Sequence, residues 1–179
     1  MVIQHGLSIE EYLALPEEKP YLEYIHGEAV PKMAPDRIHG TLAAQLAALL
    51  AGHKHRHGGT VVVEARVRFA DRHDLRYLLP DVAYYAPGRP LDAGGAMAPP
   101  TLAVEIRSPE QPLESQREKC RYYRAHGVDS AWVVDAEARA VEVFEGSARR
   151  VLEVGEDLTS IALPGFSLPV ADPFAGLEA

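Results

Sequence analysis

Apolar residues along the chain follow two patterns, a helical stripe in the first third and strand-length runs after it. In "DRIHGTLAAQLAALLAG" the stripe is Ile38, Leu42, Leu46 and Leu49, and Gly52 marks its expected end. Upstream, "LSIEEYLALPEE" begins with Ser8 and carries Glu11 three residues later, a capping-box pattern for a short helix ending before Pro16. "YLEYIHGEAVPKM" predicts a hairpin turning at His26-Gly27. "TVVVEARVRFA" alternates, so one strand is predicted with Val61, Val63, Ala65, Val67 and Phe69 on one face and Glu64, Arg66 and Arg68 on the other. "PDVAYYA", "TLAVEIRS", "SAWVVDA", "AVEVFEG" and "ARRVLEVGE" read as further strands. Between the second and third of these, Pro112 suits the first turn of a helix running to His126, and Gly127 closes it. "HKHRHGG" reads as a solvated loop, and "LPGFSLPVADPF" holds too many prolines for regular structure.

This order predicts an α/β (α+β) architecture: a central mixed sheet flanked by helices, with an N-terminal helix and hairpin, in a single domain spanning 1–179. The almost uninterrupted apolar runs at 102–106 and 131–134 are those of strands covered on both faces.

Composition narrows the class. With 179 residues, 47% hydrophobic and 25% charged, the chain can bury a real core. No apolar run reaches membrane-spanning length, and the N-terminus lacks a basic region followed by an apolar core. With Cys120 as its one cysteine, the chain has no internal disulfide, which fits a reducing cytoplasm. The net charge of −8 argues against a general nucleic-acid binder, whose affinity comes from neutralising phosphates. That charge is uneven. From Glu137 onward eight acids face Arg139, Arg149 and Arg150, so most of the excess lies in the last quarter.

Two runs carry candidate chemistry. "LLPDVAYY" holds Asp81 at the start of a strand, and "TLAVEIRSPE" holds Glu105 within one. Strand parity puts Ala103, Glu105 and Arg107 on one face and Leu102, Val104 and Ile106 on the other. Carboxylates on neighbouring strands can hold a hard divalent cation, which polarises a phosphate and activates water. The same spacing also describes two ordinary strands with acids near their ends. Lys119, one of four lysines beside fourteen arginines, follows in the next helix, next to the stripe of Leu113, Cys120 and Tyr123. From there its ammonium can reach back to the strand acids or pair with a helix neighbour. Glu23 alternates between Leu22 and Tyr24 and faces away from both, either toward a site or toward solvent. Glu64 shares a side with two arginines, so surface pairing is its default and a supporting role the alternative. Cys120 reads as core.

The blocks "SIEEYLALPEEKPYLEYIHGEAV", "IHGTLAAQLAALL", "LPDVAYY", "TLAVEIRSP", "REKCRYYRAHGV" and "AWVVDAEARAVEVF" together resemble the Uma2 family (DUF820), classed with restriction-endonuclease-like nucleases of the PD-(D/E)xK superfamily. The resemblance runs from about Ser8 to Phe174. It implies a restriction-endonuclease-like fold with a Mg²⁺- or Mn²⁺-dependent phosphodiesterase centre acting on DNA. Asp81 matches the Asp of the PD motif, Glu105 the acid of Glu-x-Lys, and Glu23 the acid of the family's first block. Lys119 matches the lysine that similar members carry in the following helix, and His39 a histidine at the start of the long helix. Asp81 and Glu105 are then the expected metal ligands, joined by the Ile106 carbonyl, and a homodimer is expected by analogy.

Position 107 departs from the pattern, being Arg where the motif has Lys. An arginine stays protonated, so the expectation for Arg107 is a phosphate clamp or a salt bridge to Glu105. "EQPLES" also differs from the family's usual Ser/Thr-and-acid approach to the helix. The −8 charge and Arg107 leave a second expectation open, a catalytically silent binding or assembly module that keeps the fold.

Overall fold

Two sheets account for nearly all the strands. The computed structural model describes residues 4–32 and 36–177, so Met33 of the expected hairpin and the expected bounds at 1 and 179 lie outside the described residues. A five-stranded sheet has the order β1 (Gln4–His5), β3 (Glu28–Pro31), β2 (Leu22–Ile25), β6 (Leu75–Leu78), β5 (Val67–Ala70). A six-stranded sheet has the order β11 (Ala148–Glu153), β10 (Ala140–Glu145), β9 (Ser130–Asp135), β8 (Leu102–Arg107), β7 (Val82–Tyr85), β4 (Thr60–Val63). Within it β8 and β9 pair in parallel and the other neighbours antiparallel, so this is the mixed central sheet. A parallel pair needs a crossover, and helix α3 (Leu113–Ala125) provides it. Helix α1 (Ile9–Leu13) and helix α2 (Arg37–His57) complete the helices, and β12 (Asp157–Thr159) pairs with β13 (Ser167–Pro169).

β8 shows how the sequence positions the layers. Leu102, Val104 and Ile106 pack toward α2, in a cluster with Leu42, Leu46, Leu50, Val82 and Trp132. Ala103 turns the other way, toward Cys120 and Tyr123 of α3 and Val67 and Phe69 of β5. The small side chain at 103 leaves room beneath α3. α1 seats Tyr12 against Tyr24 and Tyr77 of the five-stranded sheet, with ring centroids 5.1 and 5.4 Å apart, and Ser8 forms the expected capping box with Glu11.

Three sequence expectations are corrected here. α2 does not stop at Gly52 but continues through "HKHRH" to His57, and Gly58 at φ 79° ends it. The reason is packing: His53 is buried, edge-on to Tyr84 and Phe166, with His57 stacked 4.4 Å away. That burial outweighs the roughly 1 kcal/mol cost of a mid-helix glycine. The buried stripe accordingly runs Leu42, Leu46, Leu50, and Leu49 is only half-buried. "TVVVEARVRFA" is not one strand. It breaks at Glu64, whose φ of 48° is left-handed, so β4 joins the six-stranded sheet and β5 the other. Periodicity across the break stayed in step because Val61 and Val67 are each partly or fully covered, by different sheets. The proline-rich tail holds β13 and a 3-10 turn at Asp172–Phe174, and it buries Phe166, Val170 and Phe174 against the α2 layer.

Leu46 sits at the centre of the α2 stripe and is almost inaccessible. Leu46→Ala is expected to destabilise the protein by about 2–5 kcal/mol in urea unfolding. A loss below about 1 kcal/mol would show that the stripe does not carry the packing.

Candidate active site

Asp81 follows Pro80 at the entry to β7, and its backbone is fixed on both sides. Its N–H donates to the Val104 carbonyl at 3.0 Å, and its own carbonyl accepts from Glu64 N at 3.2 Å. This turns the carboxylate along the end of β8, where Oδ2 accepts the Ile106 N–H at 2.6 Å. Glu105 lies on the α3 side of β8, the face parity predicts. Its Oε1 accepts the Tyr123 hydroxyl at 2.5 Å, and Lys119 Nζ lies 3.5 Å from Oε2. Glu23 enters from β2 in the other sheet, with Oε1 accepting Leu79 N at 3.0 Å and Lys119 Nζ at 2.8 Å. The Lys119 ammonium therefore bridges the two sheets. His39, in the first turn of α2, places Nε2 3.1 Å from Asp81 Oδ1.

Glu23, His39, Asp81, Glu105 and Lys119 thus line one cavity of about 330 Å³. All three carboxylates are at most 5% exposed, so their charges are strongly desolvated. Arg107 and Glu64 are placed elsewhere. Arg107 pairs with Asp135 at 2.9 Å and Glu137 at 3.1 Å, so the expected bridge to Glu105 gives way to one with the strand neighbour directly across from it. Glu64 stands 3.9 Å from Lys19 and borders a second groove of about 270 Å³, which touches the first through His39 and Asp81.

The sequence reading missed Lys32, immediately after β3. Its Nζ lies 2.6 Å from Asp81 Oδ1 and donates to the Leu79 carbonyl at 2.5 Å. Hairpin parity held the signal: Val30 lies opposite Glu23, and Lys32, two residues on, shares that face. Tyr123, read as core, likewise contributes its hydroxyl to Glu105.

Burial and charge pull these groups in opposite directions. Burial raises the Asp81 carboxyl, but Lys32 and His39 overcome it and hold Asp81 well below the usual carboxylate range. At Glu105 burial prevails over Lys119, and the carboxyl is raised. Burial disfavours the Lys119 cation, yet Glu105 and Glu23 raise its pKa above the ordinary lysine value, so it remains an ammonium. Lys32 is raised in the same way by Asp81 and Glu105.

The donor chemistry fits a hard divalent cation. Asp81 Oδ1 is buried without an aligned hydrogen bond and draws two positive groups to within 3.1 Å. Carboxylate oxygens on adjacent strands β7 and β8 are the ligands such a cation takes. Among the described residues no three His, Cys, Asp or Glu side chains gather as a ready-made metal cluster. A cation here would rest on two acids with backbone or water oxygens completing the shell.

This arrangement, a mixed sheet with acids on and beside adjacent strands and a helix closing over them, is the restriction-endonuclease-like fold. A crystal structure of "a putative nuclease belonging to DUF820" from Anabaena variabilis ATCC 29413 superposes with a TM-score of 0.80 at 21% identity, covering 94% of this chain and 98% of that one. No curated protein matches the sequence. The model of the Uma2 family, described as "Putative restriction endonuclease", matches residues 9–171, and the chain belongs to that family. Among the described residues no helix is long and apolar enough to cross a membrane.

Burial opposes the His39 imidazolium, but its hydrogen bond and charge contact with Asp81 raise its pKa above 6.5. The contribution of the pair to stability is then complete below about pH 6.5 and lost as pH rises through the raised folded value. In EDTA, urea unfolding of the wild type should weaken from pH 6 to pH 9 relative to His39→Gln. Parallel pH profiles for the two proteins would exclude the pair.

Proposed function

We propose that the protein is a nuclease that hydrolyses DNA phosphodiester bonds with Mg²⁺ or Mn²⁺ as cofactor, built as one domain that works as a homodimer. The observation that carries the reading is the convergence of Asp81, Glu105 and Lys119 in one buried cleft. Asp81 and Glu105 would hold the cation. A bound cation supplies Lewis-acid polarisation of a phosphoryl oxygen. Lys119, kept protonated by Glu23 and Glu105, contributes fixed positive charge where negative charge builds up on the phosphoryl group. It acts as an electrostatic group and not as the base that takes a proton from water. Glu23 is a positioning residue, since its contact with Lys119 aims the ammonium into the cleft. Arg107 ties the end of β8 to that of β9 through Asp135 and leaves phosphate contacts to other groups.

The restriction-endonuclease description of the family and a cleft that gathers cations beside acids support DNA as the substrate. With an overall charge of −8, affinity has to come from local contacts in the cleft, so binding should be weak. A homodimer would present two such sites for two strands. One observation favours the second reading, a silent nuclease-fold binding module: Lys32 and His39 already neutralise Asp81.

The two readings separate in a cleavage assay on plasmid and single-stranded DNA. With Mg²⁺ or Mn²⁺ the wild type should cut, and Asp81→Asn, Glu105→Gln and Lys119→Met should each lower the rate by about 10²-fold or more. Because burial raises Glu105, its ionised form costs folded-state stability above the unfolded value near 4.5. Glu105→Gln should therefore melt at or above the wild-type temperature at pH 8 without metal, which separates lost chemistry from lost folding. Cleavage that survives in both Asp81→Asn and Lys119→Met would sink the nuclease assignment to this site.

A further inference from the structure

Each buried carboxylate in the cleft has its own partners. Glu23 has Leu79 N and Lys119, and Glu105 has Tyr123 and Lys119. Asp81 has Ile106 N on Oδ2, leaving Oδ1 to Lys32 and His39. The two lysines differ in how they are held. Lys119 rises from the middle of α3 and is gripped by two acids on two sheets. Lys32 follows the last residue of β3 and has one acid and one carbonyl as partners. Its side chain is only 12% exposed, so the ammonium sits in the cleft and is not a surface group brushing past.

From this geometry we infer that Lys32 is the resident counter-ion of Asp81, and that a divalent cation must displace it to bind. The inference rests on the cation-site reading proposed above. An ammonium 2.6 Å from Oδ1 occupies the approach a metal ion would take to the same oxygen. Lys32 at 2.6 Å is the nearer of the two groups on Oδ1, with His39 at 3.1 Å, and a doubly charged ion arriving at that oxygen repels the ammonium strongly in a desolvated cleft. Lysine suits the exchange. Its charge is a point on a four-carbon stem, so it can swing to water without breaking a bidentate fork as arginine would. Lys32 thereby keeps Asp81 compensated when no metal is present, and it lowers the apparent metal affinity by the free energy of its own release. Lys119 stays in place throughout, because its nearer partner, Glu23 Oε1 at 2.8 Å, takes no part in the exchange.

Four lysines in the chain make the test direct. In protein labelled with ¹⁵N at lysine Nζ, the protected Lys32 ammonium signal should lose its protection as Mg²⁺ is added, while the Lys119 signal persists. Mn²⁺ titration followed by electron paramagnetic resonance gives the second readout. Lys32→Met should tighten Mn²⁺ binding on the order of tenfold, Lys32→Arg should weaken it, and Asp81→Asn should abolish binding. Mn²⁺ binding of equal strength in wild type and Lys32→Met, or a Lys32 signal that Mg²⁺ leaves unchanged while Mn²⁺ binds, overturns the exchange alone. Failure of every form to bind Mn²⁺ overturns the exchange and the cation-site reading together. The NMR arm uses the wild-type protein, so the question is answered even if Lys32→Met does not fold.

Discussion

Three carboxylates withdrawn from water at the junction of two sheets set the terms for the rest of the molecule. Leaving a buried carboxylate without a partner costs several kcal/mol, so each must meet donors or cations in the fold itself. Glu23, Asp81 and Glu105 do so through Leu79 N, Ile106 N, Tyr123, Lys32, His39 and Lys119. Those contacts draw on both sheets and on α2 and α3. The cleft is thus a clamp between layers, and a change at any of its groups is felt in the placement of the others.

The apolar core explains why the acids sit where they do. Two-sided covering of β8 leaves no solvent for a side chain on the α3 face, and the small Ala103 beside Glu105 leaves a pocket where a larger residue would have closed it. α3 serves two purposes at once. It is the crossover that a parallel β8–β9 pair requires, and it brings Tyr123 and Lys119 over the acid on the strand it has just left. Arg107 belongs to the same logic one step along, where the parallel register sets it against Asp135.

Much of this was legible in the sequence because it obeys local periodicity. The alternation in "TLAVEIRS" gave the correct face for Glu105, and the spacing from Cys120 and Tyr123 gave the position of Lys119. What periodicity does not encode is a change of sheet with no change of rhythm, as at Glu64, where a left-handed residue redirects the chain while the alternating pattern continues. Nor does it price tertiary burial, which carried α2 past Gly52 once His53 found Tyr84 and Phe166. Lys32 was hidden for a third reason. Its meaning lies in the residue across the hairpin from it, and cross-strand facing must be computed from the turn, not read along the chain.

The distribution of the cleft's groups along the chain has a consequence for synthesis. Glu23 and its Lys119 partner are 96 positions apart. A ribosome that has released the chain only as far as Tyr85 has delivered Glu23, Lys32, His39 and Asp81, but neither Glu105 nor the helix that covers it. At that stage β8, the donor of Ile106 N to Asp81, does not yet exist either. The cleft is complete only once α3 has crossed over and β9 pairs beside β8. An unfinished or truncated chain therefore carries scattered charges in place of the closed cleft.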